Sequence, residues 1–152
     1  AAAAPYAAPR LAALLADPAV VKLFHFARFD IAMLQRDLGV VTRPVWCTKI
    51  ASRLVRTYTD RHGLKDLCKE LLGIDLSKQQ QSSDWGAATL TDQQLEYAAS
   101  DVLFLHDLMA RLEAMLGRHG RAGLAQACFD FLPTRAALDL AGWAEEDIFA
   151  HS

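Results

Sequence analysis

Tyr97 and Asp101 stand four residues apart, and Asp30 stands where an apolar run gives way to helix-like spacing. A phenol and a carboxylate at positions i and i+4 share one face of a helix. A carboxylate turned toward protein must be paired, protonated or bound to a metal, because desolvating a lone charge costs several kcal/mol. A tyrosine–aspartate hydrogen bond that only fastens the helix meets that demand. So does a hard divalent cation, for which carboxylate oxygens are suitable ligands. Asp30 also has two readings. It is a first-turn partner for a helix dipole, or, lying past the end of a buried strand, it stands where α/β sheets hold their ligands.

The elements that must position these residues follow from periodicity. Val20–Ala27, rich in β-branched and aromatic residues, predicts a buried strand. The segment RFDIAMLQRDLG predicts a helix with Ile31, Leu34 and Leu38 on one stripe and Gly39 as its stop. A second short strand near Val45 and Trp46 and a helix over TKIASRLVRTY give the order β-α-β-α. HGLKDLCKELLG reads as a further helix with Leu64, Leu67, Leu71 and Leu72 inward, LSKQQQSSDWGAA as a loop, and Thr91 to Gln94 as a capping box opening a long helix to about Gly117. Stepping about 100° per residue along that helix puts Leu95, Ala98, Ala99, Val102 and Met109 on one stripe, with His106 close to it. Tyr97, Asp101, Phe104 and Leu108 form another stripe, turned toward protein, and Glu96, Asp107 and Arg111 face water. Two shorter helices, about 122–131 and 133–140, close the chain.

The 152 residues are 53% hydrophobic and 22% charged, with a net charge of −2, which describes one globular domain with a real core and excludes a disordered chain. No apolar run approaches the roughly 20 residues of a membrane span, and the alanine-rich opening lacks the basic region of a secretory signal. The expectation is a cytoplasmic protein. Cys47, Cys68 and Cys128 form no CxxC pair and read as reduced, mostly buried thiols. Residues 43–78 carry +4 and residues 79–152 carry −7. A basic stretch beside an acidic one suits a protein that holds a polyanion and gathers carboxylates around cations, and it is also what ordinary surface charge looks like.

His25-Phe26-Ala27-Arg28-Phe29-Asp30 resembles the second motif of the DEDD 3′-to-5′ exonuclease superfamily. Tyr97-Ala98-Ala99-Ser100-Asp101 resembles its third motif in the tyrosine form. The surroundings, Thr48 to Ser52, His62 to Lys65, Lys78 to Trp85 and Leu95 to Leu105, are similar to the catalytic domain of bacterial ribonuclease D over roughly residues 18–118. The resemblance implies an α/β, RNase H-like fold, a mixed central sheet flanked by helices. It implies two divalent ions, Mg²⁺ or Mn²⁺, about 3.5–4 Å apart, with Asp30 and Asp101 among their ligands and Tyr97 orienting the attacking water. The implied activity is metal-dependent removal of nucleoside monophosphates from single-stranded 3′ ends, RNA preferred and DNA possible. The rival is a nucleic-acid-binding or scaffolding module that keeps the fold without the chemistry.

The superfamily's first motif, Asp-x-Glu, does not occur before Asp30, where Asp17 is the sole acidic residue, and no glutamate precedes Glu70. The expectation is therefore that the opening strands and two carboxylates lie outside these residues, that strand Val20–Ala27 is otherwise left with an open edge, and that residues 1–152 alone are inactive. No separate helical RNA-binding domain is expected within them. His25 reads equally as a substrate contact and as a satisfied core histidine. Phe29, Lys78, Gln81 and Trp85 offer ring faces, a phosphate donor and a base-edge donor to a single strand; for the last three the alternative is a polar loop with Trp85 plugging the core. Trp46 and Trp143 read as packing residues, and His62, His106, His119 and His151 lack metal-ligand spacing.

Overall fold

The computed structural model describes residues 8–76 and 92–151, with side chains up to residue 76 and from residue 104 onward. The apolar run from Val20 does make a strand, β1 (Lys22–Phe24), which pairs in parallel with β2 (Val45–Cys47). Lys22 stands opposite Val45, Leu23 opposite Trp46 and Phe24 opposite Cys47. β1 is shorter than the expected Val20–Ala27. Its partner offers only three residues, Val20 and Val21 remain exposed ahead of it, and Phe26 already has the backbone of a helix cap.

α1 (Pro9–Ala16) precedes the sheet, carries Pro9 at its start and buries only Leu15. α2 (Ala27–Leu38) follows β1 and ends at Gly39, whose φ of 68° is the left-handed cap that its sequence predicts. α3 (Thr48–Val55) follows β2 without a loop, and α4 (Leu64–Leu67) runs into a wide π-type turn, Cys68–Leu72, that stops at Gly73. The long α5 (Asp92–Arg118) and α6 (Ala122–Leu138) complete the described architecture, a parallel strand pair flanked by helices.

The core gathers Ile31 of α2, Trp46 of β2, Leu67 of α4, Leu108, Leu112 and Leu116 of α5, and Phe129 of α6, all buried. Each contributes about 1.5–3 kcal/mol by leaving water. Trp46 packs on Phe129 with ring centroids 4.9 Å apart, as a packing residue should. On the described part of α5 the buried stripe is that of Leu108, while Met109 is only half-buried and His106 is exposed, so His106 does not share an apolar face. Trp143 is exposed as well, contrary to its reading as a packing residue.

The two short helices expected after residue 122 are one. α6 continues through Pro133 because Phe129, Leu132 and Ala136, on both sides of the proline, are buried together. An interior proline costs about 3 kcal/mol, and the burial of three flanking core residues offsets it. Among the described residues no helix is long and apolar enough to cross a membrane.

Candidate active site

Asp30 lies in the first turn of α2, its amide bonded to the Phe26 carbonyl at 3.3 Å. The helix dipole favours a negative charge there, yet the carboxyl is half-buried and its pKa is raised, with burial as the cause. Among the described residues no hydrogen bond or ion pair reaches it. A half-buried carboxylate without a protein cation has the donor chemistry of a hard-metal ligand. The side chains of Tyr97 and Asp101 lie outside the described residues, although both positions fall on α5. The expected convergence of Asp30 and Asp101 therefore lies outside them too, as do Lys78, Gln81 and Trp85. Among the described residues no three His, Cys, Asp or Glu side chains gather into a metal-binding group.

The turn that presents Asp30 is tied to the next βα junction. Thr48, the buried first residue of α3, donates its hydroxyl proton to the Phe24 carbonyl at 3.3 Å, which leaves Oγ1 to accept from His25 Nδ1 at 2.9 Å. The imidazole is then the Nδ1–H tautomer. Its Nε2 is a buried acceptor without a partner among the described residues. Burial pushes the His25 pKa down to about 4, the Lys49 charge adds to the fall, and the His62 main chain opposes it. His25 is thus neutral near pH 7 and fastens the turn through Thr48.

Phe29, expected at the substrate, is 58% exposed and stacks on Phe26 with centroids 6.0 Å apart. Lys49 Nζ lies 4.4 Å from the centre of the Phe26 ring. Neither Phe26 nor Lys49 was singled out by motif. The signal was there in the basic excess of residues 43–78 and in the aromatic that precedes the helix.

His62 belongs to a different polar cluster. Ser52 Oγ accepts from Arg56 Nη1 at 2.9 Å and donates to His62 Nδ1 at 2.7 Å. Arg56 also donates to the Arg61 carbonyl at 2.6 Å and to Glu70 at 2.7 Å, and Tyr58 hydrogen-bonds the same carboxylate. The Arg56 guanidinium draws the Glu70 pKa below the usual range.

Residues 1–117 match the family model described as 3′-5′ exonuclease. The chain belongs to this 3′-5′ exonuclease family. Ribonuclease D of Acidiphilium cryptum, a relative in sequence, is 39% identical over 111 residues, which cover 73% of this chain and 28% of that protein. The chain thus spans little more than a quarter of that relative. NrnC of Brucella melitensis superposes with a TM-score of 0.89 at 62% identity, over 97% of this chain and 72% of that one. Further NrnC structures hold Mg²⁺ or pGG. Escherichia coli RNase D, at 27% identity, has a TM-score of 0.72 over 83% of this chain and 33% of that one. With these exonucleases the fold is RNase H-like α/β.

Proposed function

We propose that this 3′-5′ exonuclease domain hydrolyses the terminal phosphodiester of single-stranded RNA, with DNA ends as a second substrate, and releases nucleoside monophosphates. The observation that carries the proposal is Asp30, half-buried past the end of β1 and without a hydrogen-bond or ion-pair partner among the described residues, in a chain of this family. Asp30 and Asp101 would hold a divalent cation, Mg²⁺ or Mn²⁺. The bound cations supply stabilisation of the attacking and leaving oxygens. Tyr97 orients the attacking water and accepts a hydrogen bond from it. Phe29 offers a ring face to a base, and Lys78, Gln81 and Trp85 hold the strand near its 3′ end. The Mg²⁺ and the pGG held by NrnC support the ion and the ligand class.

The rival reading is a module of the same fold that binds strands without cutting them. The two separate in a protein that carries all four carboxylates. There Asp101→Asn and Tyr97→Phe are each expected to slow removal of the 3′ nucleotide by about 10²–10³-fold or more, the scale on which transition-state groups act. Excess chelator stops cleavage, and Mg²⁺ or Mn²⁺ restores it. Cleavage that persists in chelator overturns the metal-dependent mechanism, and a strand that is bound but never shortened establishes the module.

A further inference from the structure

Next to the Asp30 turn, α2, α3 and α6 enclose a cleft of about 390 Å³ lined by Phe26, Lys49, Ile50, Arg53, Leu132 and Arg135 among others. Resting on the exonuclease reading, we propose that this cleft is a second nucleic-acid subsite, which takes the phosphate backbone of a single strand beyond the nucleotide being removed.

Its charges are the first argument. Arg28, also at the cleft, reaches Asp139 through two hydrogen bonds of 2.6 and 2.7 Å, and Arg135 meets the same carboxylate at 3.0 Å. Asp139 thus bonds both arginines, and Glu145 adds a second negative charge near Arg28, which leaves Lys49 and Arg53 as the uncompensated cations. Lys49 and Arg53 have no ion-pair partner among the described residues. They stand at i and i+4 on α3, hence on one face with Cβ atoms about 5–6 Å apart. An excess of cations in a cleft selects an anion.

The aromatic tract is the second argument, and it favours a nucleic acid over an acidic peptide. Phe29, next to Asp30 in sequence, stacks on Phe26, Lys49 lies over the Phe26 ring, and Phe26, Lys49 and Arg53 line the cleft. Both rings are about half exposed, at 58% and 47%. Exposed ring faces interleaved with cations form the surface on which bases stack while phosphates are neutralised, whatever the sequence. An acidic peptide needs the cations but not the rings. The tract starts one residue from Asp30, so a strand with its 3′ end at Asp30 would have its next phosphates within the span of Lys49 and Arg53.

The test measures binding without cleavage. Fluorescein-labelled oligoadenylates of two and six nucleotides are titrated with the 152-residue chain in EDTA, by anisotropy, over a range of salt. The double variant Lys49→Gln, Arg53→Gln is expected to lose about tenfold in affinity for the hexanucleotide near 0.1 M salt, where exposed charges are still incompletely screened. Its slope of log K against log salt should shrink by about 1.4, two single-strand phosphate contacts. Dinucleotide affinity should stay as it was. The exchange Lys49→Arg, Arg53→Lys keeps both charges and should keep the slope, which guards against a folding defect. Equal losses for both lengths overturn the subsite. Unchanged hexanucleotide binding in the double variant overturns it too, as does a wild-type chain that binds neither length, and both leave the exonuclease reading to its own cleavage test. A sedimentation mass that changes in the double variant while strand binding does not makes the cleft a contact between protein copies, and the subsite fails.

Discussion

Two polar clusters meet the two ends of α3, one at Thr48 and one at Arg56, and they are finished to different degrees. Around Arg56, which is 2% exposed, the charge has a carboxylate, the Ser52 hydroxyl both gives and accepts, and the Glu70 carboxylate serves two donors; the Arg56 Nε alone lacks a partner. Around Asp30, among the described residues, the carboxylate has no partner and His25 buries a bare ring nitrogen. A structural network closes on itself because each open polar group in a low dielectric costs about 1–3 kcal/mol. A site that has to receive something keeps its groups open. The Arg56 cluster therefore reads as a brace, and the Asp30 turn as a receptor.

The contrast is best broken by removing the brace. Arg56→Ala strips Ser52 and Glu70 of their donor and should lower the unfolding free energy by about 2–4 kcal/mol, read from urea unfolding, with hexanucleotide affinity unchanged. A stable Arg56→Ala chain that has lost strand binding would reverse the two roles.

A smaller effect sharpens the other side. An unfolded His25 takes up its proton near pH 6.5, while the folded one refuses it until about 4. Between those values the unfolded state binds more protons, so folded stability falls as the pH drops from 6.5 toward 4. His25→Gln should flatten that decline in urea midpoints measured across the window. Parallel curves for the two proteins would show that the imidazole is not held neutral by its burial and the Lys49 charge.

Phe29 gives the smallest change in stability. At 58% exposure its truncation to alanine should alter unfolding by less than about 0.5 kcal/mol, while strand affinity falls by about 1–3 kcal/mol if a base stacks there. A larger loss of stability with intact binding would return the ring to the packing of α2.

The βαβα order was legible because its signals are local. A β-branched run, an i, i+3, i+7 stripe in α2 and a glycine at its end need no knowledge of the rest of the molecule, and Gly39 sits where they predict. α6 was misread as two helices because Pro133 is a strong local signal overridden by a non-local one, the burial of Phe129, Leu132 and Ala136. On α5 the expected protein-facing stripe of Leu108 is buried, and only the described end of the other stripe differs from its reading. His106 and Met109 are spaced like core residues, but the neighbouring α3 and the turn after α4 meet the stripe of Leu108 and Leu112 instead. At the site, Asp30 announced itself through its motif. Lys49 and Phe26 did not, since their meaning comes from the contact between α3 and the start of α2.

The bond between Arg28 and Asp139 joins positions 111 residues apart. A ribosome delivers Arg28 long before its partner, and it delivers the wall of the cleft formed by Leu132 and Arg135 later than the wall formed by Phe26 and Lys49. Between the emergence of α2 and that of α6 the chain thus has its Asp30 segment but not the groove beside it. Growing next to messenger RNA, a nascent chain of this kind has no complete cradle for a strand until α6 has emerged from the exit tunnel.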